Sequence, residues 1–124
     1  MAKPYDIKDR TFLFSTEIID FCQPVLPPGG IIRELARQLV RSGTSVGANL
    51  EEGHAGESKP DFRSKIAISR KEARETRYWL RLMVHADPRL KKGAAPLIDE
   101  ARQLIAILTT IKMNSEQDDD RGDE

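Results

Sequence analysis

Five arginines between residues 63 and 81 are the side chains of this sequence best suited to bind an anion. They stand seven, four, three and four residues apart and share a stripe about 60° wide on an ideal helix: Arg63, Arg70, Arg74, Arg77 and Arg81. None has an acidic residue three or four positions away to pair with along the helix. The stripe therefore predicts ion pairs with acids of a neighbouring protomer, contacts with RNA or DNA phosphates, or ion pairs with acids on other helices, such as Glu34, Glu51 and Glu52.

Charge is unevenly distributed along a chain whose formal net charge is zero. Residues 118–124 hold five acids and one base, so residues 1–117 carry 19 bases against 15 acids, a net of +4. A second basic line, formed by Arg33, Arg37 and Arg41, favours phosphate binding. We expect the acidic terminus to compete for the arginines and to weaken non-specific binding.

Two further residue patterns are compatible with metal or thiol chemistry. Glu51 and His54 have the Glu-x-x-His spacing of di-iron bundles, but the only other histidine, His85, has Leu82 three residues before it. Cys22 has no histidine or cation beside it and is typical of a buried, unreactive thiol. No phosphate loop, nucleophile elbow or paired-cysteine motif is present. We predict no catalytic residue, no metal ligand and no cofactor, and hence no enzyme.

Length and composition indicate one small domain. The 124 residues are 39% hydrophobic and include one cysteine, which excludes a disulfide scaffold. No apolar run reaches the length of a membrane span, and the first ten residues lack the apolar stretch of a signal peptide. We therefore expect a cytoplasmic protein that does not bind membranes.

The elements that must position these side chains are four amphipathic helices, predicted over residues 7–23, 31–52, 59–86 and 93–114. Apolar and small residues recur at heptad spacing in each predicted helix, as in the series Ile32, Ala36, Leu39, Gly43, Val46 and Leu50. In helix one, Phe12, Ile19 and Cys22 form a stripe beside the main seam. We predict an all-α fold in which residues 1–114 form an antiparallel four-helix bundle and residues 115–124 a disordered acidic tail.

Helix two contains a run of small residues, Ser42 to Ala48, that is unusual for a helix. Glycine costs about 1 kcal/mol relative to alanine in a helix interior, so we expect a neighbouring helix to approach closely at Gly43 and Gly47. Asn49 is positioned to hydrogen-bond a polar group of helix three. Gly53 is predicted to end helix two, which places His54 outside it.

Helix three carries a second apolar stripe outside its heptad seam. The stripe consists of Ile68, Trp79, Leu82 and Ala86, with Glu72 and Glu75 beside it. A thin bundle cannot bury such a stripe in its own core. The stripe therefore indicates self-association, and we predict subunit contacts at Tyr78, Trp79 and Leu82.

Two sequence blocks closely resemble one known protein family. They are RQLVRSGTSVGANLEEG at residues 37–53 and KEARETRYWLRLM at residues 71–83. Both are similar to four-helix-bundle proteins named after the reading frame found in 23S ribosomal RNA intervening sequences, and the similarity in helix pattern extends over about residues 5–113. The resemblance implies a left-handed, up-and-down bundle and a homopentameric ring.

The same resemblance implies binding partners rather than catalysis. Relatives include accessory proteins of diversity-generating retroelements, which bind nucleic acid and the element's reverse transcriptase. The family pattern marks no catalytic group, and we assign its matching residues to bundle registry and subunit contact. The candidate set for registry and contact, including Leu82 from the apolar stripe, is Asn49, Glu52, Glu72, Glu75, Tyr78, Trp79 and Leu82.

Overall fold

The computed structural model describes residue 4 and residues 6–25, 30–55 and 58–122. Within these residues the chain forms four α-helices and two short 3₁₀ turns, and it contains no strand. The helices are α1 (Ile7–Cys22), α2 (Gly30–Ala55), α3 (Lys59–Ala86) and α4 (Lys91–Gly122), and the turns are Gln23–Val25 and Pro88–Leu90. The predicted all-α class is confirmed.

Two of the helices begin at side-chain caps. The carboxylate of Asp6 accepts hydrogen bonds from the backbone N–H groups of Lys8 and Asp9 at the start of α1. Ser58 Oγ accepts from Asp61 N at 3.2 Å at the start of α3, with Pro60 in the first turn. The cap satisfies a donor that has no partner within the helix, and the predicted start of helix three is confirmed.

The helices pack in order around the bundle, and α4 closes it against α1. α2 and α3 are antiparallel, because Ser69 of α3 bonds Val46 of α2 whereas Thr76, further along α3, bonds Ser42, which comes earlier on α2. The contact from Arg10 to Glu100 joins α1 to α4. α1 and α3 occupy diagonal corners: no described Cα atoms of the two helices lie within 8 Å, and their buried side chains belong to the same core. The predicted four-helix bundle is therefore confirmed.

The core is built from the heptad seams that the sequence predicts. The seam residues of α2 from Ala36 to Leu50 are buried, and Ile32 at its start is half-buried. The largest fully buried side chains include one or more from every helix: Phe14, Ile18, Leu39, Leu50, Ile66, Leu80, Met83, Leu104 and Leu108. Burial of these side chains supplies the main driving force for folding.

The small residues of α2 allow α1 to approach closely. A Cβ atom added to Gly43 would lie 3.0 Å from two side-chain carbons of Ile18, and one added to Gly47 would lie 3.2 Å from Thr11 Oγ1. Ser45 Oγ donates to the carbonyl of Arg41, so this hydroxyl is satisfied along the helix. The expected close approach at both glycines is confirmed.

Buried hydroxyl groups pair α2 with α3. Thr76 Oγ1 lies 3.0 Å from Ser42 Oγ and also donates to Glu72 O at 2.7 Å. Both hydroxyls are fully buried, and Ser42 Oγ also donates to Leu39 O, so a change of helix register would lose the bond between the two hydroxyls but keep the bonds within each helix. Asn49 instead donates to Ser45 O of its own helix at 2.8 Å. The expected interhelical bond from Asn49 is therefore wrong.

α2 continues past the end that the sequence predicts. It runs through Gly53 to Ala55, whereas the sequence predicts an end at Glu52. A Cβ atom on Gly53 would lie 3.1 Å from Lys65 Cβ, so this glycine makes room for α3. Tertiary packing therefore outweighs the low helix propensity of glycine at this position.

α4 also extends beyond its predicted limits. It begins at Lys91, contains Pro96 near its start and remains helical to Gly122. The structure therefore differs from the predicted disordered tail over residues 115–122. Lys112 pairs with Glu116 one turn later, and extending an existing helix adds a hydrogen bond per residue without a new nucleation cost.

Candidate functional site

The arginine stripe of α3 lies along the side that faces α4. Arg70 Nη1 donates to Thr109 Oγ1 of α4 at 3.4 Å. The hydrogen bond from Lys112 lowers the pKa of Glu116, and the positive charges of Arg63 and Arg70 lower it further. The first half of the stripe is therefore close to the acidic part of α4.

The second half of the stripe lines an open groove between α3 and α4, which we call the α3/α4 groove. Arg77 and Arg81 face Lys91 and Arg102 across a volume of about 440 Å³. The floor is apolar, and Asp99, the one acid among the described residues that line the groove, accepts a hydrogen bond from Arg102 Nη2 at 2.7 Å. This arrangement concentrates positive charge and is suited to an anion such as a phosphate.

Most of the stripe has no acidic partner within the part of the chain that the structure describes. Arg74 and Arg81 are exposed, whereas Arg70 and Arg77 are half-buried, and none of the four forms an ion pair with a described acid. The Nε atom of Arg77 is buried and has no hydrogen-bond partner in the same residues. Ion pairs with the described acids of other helices therefore do not explain Arg74, Arg77 and Arg81, whereas the charge of Arg70 acts on Glu116 of α4.

One acid proposed as an intrachain partner, Glu52, pairs with a lysine instead. Glu52 Oε2 is 2.7 Å from Lys65 Nζ, and this hydrogen bond lowers the pKa of Glu52. The second basic line supplies a different ion pair, because Arg41 Nη2 lies 3.4 Å from Glu75 Oε2 and its Nη1 lies 3.9 Å from Glu72 Oε2. Arg41 thus anchors α2 to α3.

A second surface feature is an exposed apolar cluster on the side shared by α2 and α3. We call this cluster the α2/α3 patch; it comprises Ile31, Leu35, Tyr78, Trp79 and Leu82. Tyr78 is 54% exposed and Ile31 72% exposed. The ring of Tyr78 stands edge-on to that of Trp79 with centroids 5.3 Å apart. Trp79 is half-buried against the core, and its Nε1 has no acceptor among the described residues.

A groove of about 580 Å³ forms part of the same patch. It is lined by Leu82, His85 and Ala86 of α3 and by apolar residues at the start of α2, namely Ile31, Ile32 and Leu35. The structure therefore brings Tyr78, Trp79 and Leu82 together, as the sequence predicts. Of the other candidate contact residues, Glu72 and Glu75 lie beside Arg41, whereas Asn49 and Glu52 lie nearer the end of α2.

A family model described as 23S rRNA-intervening sequence protein matches residues 4–110 of the chain. The chain belongs to this family. A similar structure, solved at 1.70 Å resolution, is a protein of unknown function from the S23 ribosomal protein family of Bacteroides thetaiotaomicron VPI-5482. It is 28% identical, the match covers 86% of this chain and 98% of that one, and the TM-score is 0.78. No curated protein matches the chain.

Groups with catalytic or metal-binding potential are isolated in this member of the 23S rRNA-intervening sequence family. Cys22 is 1% exposed, and its burial raises the pKa of the thiol to about 11, which keeps it protonated. No three His, Cys, Asp or Glu residues of the described chain are grouped closely enough to hold a metal ion. No helix in the described residues is long and apolar enough to cross a membrane.

The predicted position of His54 requires correction. His54 lies inside α2, with Nδ1 2.9 Å from Leu50 O and its ring edge-on to Phe62 at 5.6 Å. The prediction fails because Gly53 continues the helix. The contact with Leu50 O gives His54 a structural partner in place of a metal.

Sequence reasoning missed part of the exposed apolar surface. Phe12 is 70% exposed, and Leu13 and Ile19 are 38% and 39% exposed, all on α1. Phe12 and Leu13 are adjacent in sequence and Phe14 is buried. Since consecutive helical residues point about 100° apart, a run of three apolar residues cannot all face one core. That geometric conflict is the signal that would have identified the exposed residues.

Proposed function

We propose that this protein is a non-enzymatic binding or scaffolding module that works as a homo-oligomeric ring, with the α2/α3 patch as one subunit contact. The exposed apolar patch is the observation that carries the proposal. A contiguous apolar surface with an aromatic pair at its centre is typical of protein interfaces. The family resemblance supports five copies in the ring.

Tyr78→Asp is expected to convert the oligomer to monomers, because the new carboxylate would have to be desolvated within the contact. The monomer should remain folded, since Tyr78 is 54% exposed and Arg74 and Arg81 are one turn away to pair with the new acid. Trp79→Asp is less suitable, since Trp79 packs against the core. The measurement is native mass by light scattering over a range of concentrations.

The control is Met113→Asp, which removes a large apolar side chain that is 53% exposed on α4. It should keep the wild-type native mass. A wild-type mass for Tyr78→Asp would show that the patch is not a subunit contact, and a monomeric wild-type protein would overturn the ring itself.

A second candidate function is nucleic-acid binding through the α3/α4 groove. It is supported by the four cations that line the groove: Arg77, Arg81, Lys91 and Arg102. A reverse transcriptase would be a partner in that role, as the family resemblance implies for accessory proteins. Phosphate contacts by these side chains would release condensed counterions, so affinity should fall steeply as salt rises.

The double variant Arg81→Gln, Arg102→Gln is expected to weaken binding of a labelled single-stranded RNA or DNA at about 50 mM salt. We expect a loss of roughly tenfold or more and a shallower dependence on salt, by about one unit of slope per phosphate contact removed. Fluorescence anisotropy measures both. The matched control is Arg89→Gln, Lys92→Gln, which removes two exposed cations that are not among the residues lining the groove and should leave binding unchanged. Absent or salt-insensitive binding by the wild type would exclude this function.

A further inference from the structure

α1 presents an exposed face that combines apolar and acidic side chains. Phe12, Leu13 and Ile19 are its exposed apolar members. Three exposed carboxylates accompany them, and together these six residues define the α1 outer face: Asp9, Phe12, Leu13, Glu17, Ile19 and Asp20. None of the three carboxylates forms an ion pair with another described residue. On an ideal helix Asp9 and Asp20 lie near the middle of this face, with Phe12 and Ile19 on one flank and Leu13 on the other, so the face carries negative charge between apolar edges.

The α2/α3 patch carries mainly the opposite charge: its acids are Glu34, which is exposed on α2, and Glu75, which is paired with Arg41. Lys71, Arg74 and Arg81 are exposed on α3 close to Tyr78, and none is paired with a described acid. Charge of opposite sign on two apolar surfaces favours their association and disfavours the pairing of either surface with itself. The two surfaces are therefore complementary rather than self-complementary.

The two surfaces together account for most of the exposed apolar side chains. Among the described residues, six large hydrophobic side chains are exposed, and five belong to these surfaces, the exception being Met113. One chain cannot cover one surface with the other, because α1 and α3 lie at diagonal corners of the bundle and no described Cα atoms of the two helices come within 8 Å. A second copy of the chain supplies the missing partner for each surface.

We propose that the α1 outer face of one copy docks on the α2/α3 patch of the next copy. The proposal rests on the homo-oligomeric function above and deepens it by identifying the partner surface. Phe12 of one copy would enter the groove beside Leu82, and the α1 carboxylates would pair with Arg74 and Arg81. A contact between two different surfaces is heterologous and closes into a ring when the rotation permits.

The test uses one disruptive variant for each surface and a mixture of the two. Phe12→Lys places a cation opposite the arginines of the next copy, and Tyr78→Asp places an acid opposite the α1 carboxylates. Each variant alone is expected to be monomeric at 14.0 kDa. An equimolar mixture should form a dimer of twice that mass, because Phe12→Lys retains an intact α2/α3 patch and Tyr78→Asp an intact α1 outer face.

The outcomes separate this inference from the proposed function. If the wild type is monomeric, the proposed ring is overturned, and the pairing with it. If the wild type is oligomeric and Phe12→Lys keeps its mass, the ring stands and α1 is not the partner surface. If both variants are monomeric but the mixture contains no dimer, the two surfaces do not bind each other. Met113→Asp should retain the wild-type mass.

A crosslinking measurement covers the case in which a variant does not fold, which circular dichroism would reveal. Glu17→Cys and Arg74→Cys each add one exposed thiol, whereas Cys22 is buried and unreactive. A short bifunctional maleimide should link the two variants to each other when they are mixed, and neither variant to itself. Equal crosslinking within each separate variant would contradict a heterologous contact.

Discussion

Gly43→Val is expected to lower the free energy of unfolding by about 3 kcal/mol, because the new side chain would occupy space that Ile18 fills. The added Cβ atom alone would lie 3.0 Å from both Cγ1 and Cγ2 of Ile18. Ile18 is fully buried, so α1 and α2 can separate only by opening the core. Chemical denaturation followed by circular dichroism measures the change.

Two further variants test the physical reason. Gly93→Ala should raise the free energy of unfolding by about 0.5–1 kcal/mol through helix propensity, because its Cβ would make an ordinary contact with Phe21 at 3.5 Å. In Gly43→Val, Ile18→Ala the clash is relieved, so the loss should be smaller than the sum of the single losses. An additive double variant would show that the clash with Ile18 is not the cause.

Arg10→Met is expected to cost about 3 kcal/mol of stability, because it removes the bidentate partner of the buried Glu100 carboxylate. Arg10 Nε lies 2.8 Å from Glu100 Oε2, and Arg10 Nη2 lies 2.7 Å from Oε1 and 2.8 Å from Gln103 Oε1. The two side chains of the pair are only 15% and 7% exposed. The hydrogen bond to Glu100 also raises the pKa of Arg10, so the guanidinium is charged throughout the accessible pH range.

The double variant Arg10→Met, Glu100→Met should recover most of the lost stability, because it leaves no uncompensated buried charge. Arg89→Met is the matched control. The Arg89 side chain is 90% exposed beside Asp87, so its removal should leave the melting temperature unchanged within error. A double variant as unstable as Arg10→Met would show that the cost arises from lost packing of the arginine stem.

The interior of the bundle could be predicted because its pattern is local. The heptad series of α2 from Ala36 to Leu50 is buried as expected, and Cys22 lies in the core as its apolar surroundings indicate. The start of α3 follows from the Ser58 cap and Pro60, which act within one helical turn. Helix periodicity and capping depend on residues that are close in sequence, so both can be recognised without the tertiary structure.

The ends of α2 and α4 could not be predicted by the same reasoning. Gly53 is a common helix terminator, yet here it remains helical because α3 passes close to it. The sequence of residues 115–122 contains no apolar seam, yet α4 continues through them. The end of α2 depends on packing against α3, and the end of α4 depends on helix propagation. Prediction of a helix end from the type of one residue, such as glycine, includes neither effect.

The candidate surfaces could be predicted only in part. Trp79 and Leu82 share the second stripe of α3 and the ring of Tyr78 contacts that of Trp79, so their proximity follows from one helix, whereas their role in subunit contact stays a prediction. Ile31 and Leu35 belong to α2, so their place in the α2/α3 patch depends on how α2 packs against α3. The groove around Arg77 likewise needs α4 to supply its second wall.

By itself, the sequence determined the helices, the residues of their buried seams and the family to which the chain belongs. Only the tertiary structure decided which charges are paired and which apolar residues remain exposed. Arg10 and Glu100 are 90 positions apart, so nothing local connects them before the chain folds. Phe12, Leu13 and Phe14 are consecutive in α1, and Phe14 is the one that faces the core, so Phe12 is exposed. Pairing and exposure depend on which helices become neighbours, and that is a property of the assembled bundle.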